Sequence, residues 1–146
     1  MNKAICSLNF MYSMERFATA IYRFQKSVFK EAAINEKMIY AVDNESQHAS
    51  NLRKRIIELN STPFKLAFLF QIAGKILGCV SRCFSKELSL KIDVLVGKRA
   101  VKDYSYFLKT LKLDDETKVL LKNIIADEEV HIKNWQASIK LLTSKP

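Results

Sequence analysis

Residues that interrupt helices are nearly absent from this chain, which holds Gly 3 and Pro 2 in 146 residues. That scarcity excludes a many-stranded β fold with its regularly spaced turns, and it leaves long helices with few breaks. Cysteine is also scarce and odd in number: Cys6, Cys79 and Cys83 include no Cys-x-x-Cys pair. A disulfide framework and a zinc knuckle are thereby excluded, and a reducing compartment fits best. Cys79 and Cys83, four apart on one helical face, read as plain core or interface thiols. Internal repeats, low-complexity linkers and a Gly-rich nucleotide loop are missing as well. The opening "MNKAICSLNFMYSM" is too short and too lightly charged for a secretory signal or a transit peptide, so the expectation is a protein on the cytosolic side of its membrane.

What the chain does have is apolar material and positive charge. Its hydrophobic content of 49% is enough for one sizeable core, so residues 1–146 are expected to form a single all-α domain. A net charge of +9 implies a polyanionic partner, either nucleic acid or an anionic membrane surface. The lysines are spread over every predicted helix and not clustered on one face, which argues against nucleic acid.

Apolar spacing predicts a first helix from about Tyr12 or Ser13 to about Lys30, with Ser13 as its cap, and a second from about Glu36 to Asn60 that stops before Pro63. A third core helix is expected from about Leu88 to Leu111. The fourth starts with Asp114 or Asp115 as N-cap and runs to about Leu142. Between the second and third lies residues 63–86, "PFKLAFLFQIAGKILGCVSRCFSK". Stepping 100° per residue puts Gln71, Lys75, Gly78 and Arg82 on one side, with Phe70, Ile76, Leu77 and Val80 among the apolar residues of the other. Lys65, Lys75 and Arg82 interrupt its apolar run, so it is a poor membrane-spanning helix and a good candidate to lie in the membrane interface; an amphipathic core helix is the other reading.

The two histidines carry the chemical signal. His48 in "VDNESQHAS" stands three residues after Glu45, and His131 in "IIADEEVHIKNW" stands three after Glu128. Residues three apart on a helix share a face, so each pair presents a carboxylate and an imidazole together, a ligand set for Fe, Mn or Zn. With nine glutamates in the chain, chance places both histidines in this relation roughly 0.4% of the time. Carboxylate-bridged di-iron bundles use two Glu-x-x-His pairs and a single Glu from each of the other two helices. The first helix offers Glu15, since Glu31 falls at its end; Glu129 is the wrong distance from His131.

Several blocks in order then resemble the demethoxyubiquinone hydroxylases, ferritin-like di-iron monooxygenases of ubiquinone biosynthesis. They are "MERFATAIYRFQ", "MIYAVDNESQH", "LNSTPFKLAFLFQIAGKILGCVS", "VKDYSYFLKTL" and "IIADEEVH", which together cover about Glu15 to Trp135. The resemblance implies a ferritin-like four-helix bundle with an additional amphipathic helix between helices 2 and 3. It implies two irons, with Glu15, Glu45, His48, Glu128 and His131 as ligands and Tyr104 beside the metal and quinone pocket. The implied reaction is ring hydroxylation of a demethoxyubiquinol-type polyprenyl quinol, with electrons from a reductase or from reduced nicotinamide. The implied setting is peripheral, on the cytoplasmic face of a bacterial inner membrane or the equivalent matrix face. Expected partners are the membrane surface and the quinone, with a homodimer or other quinone-biosynthesis proteins in addition.

One ligand departs from that pattern. Counting back from Tyr104, the family's third-helix glutamate falls at Gly97, with Lys98 beside it, and Asp103 stands where the family tends to have histidine. Three carboxylates leave two Fe(II) ions one unit positive, which is costly in a low-dielectric bundle. Asp93, one turn earlier and about 6 Å along the axis, is a candidate substitute ligand. Lys98 either faces solvent or points inward, where its ammonium would stand in place of the second metal. The alternative reading is therefore a non-catalytic or single-metal relative that binds quinone or lipid at the membrane surface. A rubrerythrin-like peroxide scavenger fits less well, since rubredoxin-type cysteine pairs are missing.

Overall fold

The computed structural model describes residues 3–144, which form five helices: α1 (Lys3–Gln25), α2 (Ala32–Glu58), α3 (Ala67–Ser81), α4 (Lys86–Thr110) and α5 (Asp115–Thr143). Helices α1, α2, α4 and α5 form the expected bundle, and α3 is the extra helix inserted in its middle. The closest packing joins α1 to α2, α4 to α5 and α3 to α1; α1 and α4 touch over little of their length.

Helix ends follow from side chains at the boundaries. Asp114 caps α5, its Oδ1 accepting from the Thr117 backbone N–H at 2.9 Å, and Ser85 caps α4 by accepting from Leu88 N–H at 3.1 Å. Helix α2 ends where Asn60 adopts the left-handed conformation (φ 54°) and Ser61 N–H reaches back to the Ile56 carbonyl, a C-terminal motif that asparagine fills in place of glycine. Helix α1 differs from expectation: it starts about ten residues before Ser13 and ends five before Lys30. The segment before Ser13 carries Leu8 and Met11 into the core, so the apolar stripe continues through it. Ser13 is accordingly no cap but a buried helical residue whose hydroxyl donates to the Asn9 carbonyl at 2.8 Å. Helix α2 likewise begins four residues early, because Ile34 is fully buried.

The core is two apolar clusters stacked along the bundle. One holds Leu8, Met11, Leu52, Ile56, Leu121 and Ile124; the other holds Ile21, Tyr22, Ile34, Met38, Leu90, Val94 and Trp135. Each long helix passes through both, and the residues between them are polar or small: Glu15 on α1, Glu45 and His48 on α2, Gly97 on α4, Glu128 and His131 on α5. These six positions therefore share one level of the bundle, between the two clusters.

Helix α3 is shorter than residues 63–86 and turns the opposite side inward from the one its apolarity suggests. Its buried residues are Ala67, Gly74, Gly78 and Ser81. A Cβ on Gly74 would meet the Phe17 carbonyl oxygen at 2.4 Å, and one on Gly78 would meet Ile21 O and Phe24 Cβ at 2.9 Å, so only glycine allows this approach to α1. Arg16 holds Gln71 by a short hydrogen bond across the same interface. Of the four residues expected to form the membrane and quinone face, Phe70 and Leu77 are half-buried while Ile76 and Val80 are exposed, Ile76 by 60%. Leu69 and Ile72 extend the exposed stripe, and Lys65, Lys75 and Arg82 are exposed beside it.

Candidate metal centre

Glu15, Glu45, His48 and Glu128 are each at least 97% buried, and each offers one ligand atom such that all four lie within 4.8 Å of one another. His48 Nδ1 lies 3.4 Å from both Glu15 Oε2 and Glu45 Oε2. His131 is outside this set but adjoins it, with Nε2 3.6 Å from Glu45 Oε1. Tyr104 donates from its hydroxyl to Glu15 Oε1 at 2.6 Å.

The residues fit a cation. Glu15 Oε2, both Glu45 oxygens, His48 Nδ1 and His131 Nδ1 are buried and make no hydrogen bond among the described residues. Orphaned lone pairs at this depth are costly unless something positive satisfies them. The protonation pattern agrees. Burial drives the Glu45 and Glu128 carboxyls well above the ordinary glutamate range, and the neighbouring Glu15 charge adds to both. Burial also pushes Glu15 upward, but the proximity of Glu45, His48 and the Tyr104 hydroxyl outweighs it and leaves Glu15 below its usual value. His48 rises to about 9, because the carboxylates of Glu15 and Asp127 outweigh its desolvation. Desolvation and the His48 charge drop His131 to about 4. Without a metal, protons on these groups do the compensating.

Two positioning residues carry no mark in a search for Glu-x-x-His. Asp127 Oδ2 lies 3.0 Å from His48 Nε2, and Asn44 Oδ1 lies 2.8 Å from His131 Nε2. Each stands immediately before the glutamate of its motif and reaches the histidine of the other, and Asn44 Nδ2 donates to Asp127 Oδ2 at 3.3 Å to close the pair. A histidine held at one nitrogen presents the other in a fixed direction, which is how metal-binding imidazoles are oriented. A polar residue precedes both motif glutamates in the sequence, but its reach to the opposite helix is visible only in the fold.

The count from Tyr104 singles out Gly97 as the expected fourth-carboxylate position, and the structure turns it toward Glu128. Gly97 is buried, and a Cβ there would lie 3.5 Å from Glu128 Oε2. Neither proposed replacement serves. Lys98 is exposed, so no ammonium enters the site. Asp93 is fully buried but stands outside the four-residue group; its Oδ1 accepts from Gln25 Nε2 at 3.2 Å, ten residues along α1 from Glu15. The turn of α4 that separates Asp93 from Gly97 puts it beside Gln25 and Tyr22.

Beside the cluster, α1 and α4 part to leave an apolar cleft of about 250 Å³ lined by Phe10, Met14, Ala18, Val96 and Ala100, with Glu15, Tyr104 and Glu128 in its wall. A second apolar groove, about 500 Å³, runs past Ile5, Asn9, Phe64 and Phe70 at the start of α3, and Phe10 lines both.

A helical bundle with a buried carboxylate and imidazole cluster at mid-height, a further helix packed on α1 and a cleft beside the cluster defines a helical-bundle protein whose core could hold a metal. Residues 12–145 match the model of the family described as Ubiquinone biosynthesis protein COQ7, and the chain belongs to that family. It is 31% identical over 121 residues to the 3-demethoxyubiquinol 3-hydroxylase of Francisella philomiragia subsp. philomiragia, and 30% identical over 121 residues to that of Francisella tularensis subsp. novicida. Each alignment takes in 82% of this chain and 57% of the relative, so the chain spans little more than half the length of these proteins.

Proposed function

We propose that this protein is a di-iron hydroxylase of a demethoxyubiquinol-type polyprenyl quinol, acting at a membrane surface. The observation that carries the reading is the set of unsatisfied, buried ligand atoms from Glu15, Glu45 and His48, with a Glu128 oxygen within 4.8 Å of them, beside an apolar cleft. Iron bound there would supply activation of O2 for ring hydroxylation. The chain's own residues do the placing. Glu15, Glu45, His48, Glu128 and His131 hold metal, Asp127 and Asn44 fix the two imidazoles, and the apolar walls exclude water. Tyr104 holds Glu15 in place through its hydroxyl and lines the cleft.

The cleft volume favours a ring over a whole lipid, since it lies below the ~300 Å³ at which drug-sized sites begin. The quinol head would enter beside Tyr104 while its tail crosses Phe10 into the groove under Phe64 and Phe70. Phe70 of that groove belongs to α3, whose exposed Leu69, Ile72, Ile76 and Val80 with flanking Lys75 and Arg82 suit an anionic bilayer. No helix among the described residues is long and apolar enough to cross a membrane, so α3 would lie in the interface.

The test is turnover. Protein loaded anaerobically with Fe(II) is given a reduced short-tailed demethoxyubiquinol and O2, and the product is analysed by mass spectrometry. Gain of one oxygen, abolished by Glu45→Ala, supports the proposal. Metal binding with no oxygen gained from any quinol would favour the non-catalytic quinone-binding reading.

A further inference from the structure

Surface charge divides the bundle into two sides. Helices α1 and α4 adjoin on one side and α2 and α5 on the other, with α3 packed on α1. The exposed acids of the helices all stand on the second side: Glu36, Asp43 and Glu58 on α2, and Asp115, Glu116 and Glu129 on α5. Among the described residues of α1, α3 and α4, no acidic side chain is exposed. Helix α4 carries most of the positive charge on that first side. Its outward stripe holds five exposed cations, Lys91, Lys98, Arg99, Lys102 and Lys109. Between them stand Leu88, Leu95 and Tyr106; Leu95 and Tyr106, 66% and 62% exposed, are the two most exposed large apolar side chains among the described residues. Lys91 pairs with Glu87 at 2.6 Å and Arg99 with Asp103 at 2.7 Å, while Lys98, Lys102 and Lys109 make no ion pair among the described residues. Leu95 and Arg99 also stand in the wall of the 250 Å³ cleft, so the stripe adjoins it.

We propose that the outward stripe of α4 is a second membrane contact, seated on an anionic phospholipid surface, and that it turns the cleft between α1 and α4 toward the bilayer. The inference rests on the membrane-surface reading above and extends it from α3 to α4. Composition favours lipid over a protein partner. Four of the five cations are lysine, a residue that protein interfaces disfavour and that meets a layer of phosphate headgroups as a flexible point charge. Leucine and tyrosine between the cations supply the apolar and interfacial contacts of a helix lying in the membrane plane. Long lysine stems let those side chains sink while the ammonium groups stay at headgroup level. The acids of α2 and α5 are repelled by the same surface, so the two sides of the bundle favour a single orientation.

The experiment places one added indole at a time at an exposed position of the full chain, by Tyr106→Trp on α4, Ile76→Trp on α3 or Val119→Trp on α5; the native Trp135 is fully buried. Each variant is mixed with vesicles of phosphatidylglycerol and phosphatidylcholine, with and without brominated acyl chains, and bromine quenching of the added indole is read. Quenching is expected on α4 and α3 and not on α5. Lys98→Gln/Lys102→Gln should bind these vesicles about 30-fold more weakly than the parent, since each lysine near an anionic surface contributes about fivefold. Circular dichroism of that variant should match the parent's. Quenching on α3 with none on α4 would overturn the inference, leave the α3 contact standing and assign the basic stripe to an acidic protein. Equal quenching at all three positions, or vesicle binding that the two lysines do not affect, would overturn it as well. No quenching at any position would overturn the membrane-surface reading together with it.

Discussion

Replacing Asp93 with asparagine separates a buried acid from the metal cluster one turn away. Asp93 is fully enclosed; Gln25 donates to its Oδ1, and its Oδ2 has no partner among the described residues. Burial lifts its carboxyl from the ordinary 3.8 to about 8, against a smaller downward pull from the Gln25 bond. The folded protein thus keeps a proton that the unfolded chain releases, and this contribution to stability is lost as pH rises from 3.8 through about 8. Within that window each pH unit costs about 1 kcal/mol, or on the order of 2 to 3 kcal/mol from about pH 5 to about pH 7. Asparagine fills the same volume, still accepts from Gln25 and does not titrate. Asp93→Asn should therefore gain on its parent by about 1 kcal/mol per pH unit across that range, measured by urea unfolding of chelator-treated protein followed by circular dichroism. A stability difference that stays constant with pH would refute the reasoning, because it would mean that Asp93 is ionised in the folded state. Metal stoichiometry should not change; loss of one equivalent would place Asp93 among the ligands.

Three further outcomes follow from the same geometry. Asp127→Asn removes the carboxylate behind His48 and should weaken metal binding by about 10- to 100-fold in chelator competition, with helix content unchanged. Because Glu45 and Glu128 hold protons when no metal is present, metal binding should release protons and tighten as pH rises; calorimetry in buffers of different ionisation enthalpy reads this directly, and zero proton release would contradict the raised carboxyls. Ile76→Lys on α3 should cut co-sedimentation with anionic vesicles at least about tenfold, since burying one isoleucine contributes roughly 1.5–3 kcal/mol, while thermal stability stays close to the parent's. Equal sedimentation would remove α3 from the membrane contact.

Much of the site was legible in the sequence because its residues are rare and periodic. Each histidine, three residues after a glutamate, shares a face with it, and with one further glutamate on the first helix these positions contain the four residues now found within 4.8 Å, Glu15, Glu45, His48 and Glu128, with His131 adjoining them. Gly97, singled out by the count from Tyr104, lies on the side of α4 that faces Glu128. What stayed hidden depends on contacts between helices. Asn44 and Asp127 act on the histidine of the opposite helix, and nothing in either local pattern encodes that crossing. The inward side of α3 is likewise set by contacts between helices. Apolarity predicts burial only where a helix packs through large side chains, whereas α3 docks through Gly74 and Gly78 against the backbone of α1 and leaves Ile72 and Ile76 outside. The start of α1 was missed because Ser13 resembles a cap, and its hydroxyl is instead satisfied by the preceding turn.

The most direct test of the central claim is to run the quinol reaction under isotopically labelled O2 with iron-loaded protein and with the Glu45→Ala/His48→Ala variant. The account predicts one labelled oxygen in the product ring from the parent and no product from the variant. Product carrying unlabelled oxygen, or equal product from both proteins, would contradict an oxygen-activating metal at this cluster.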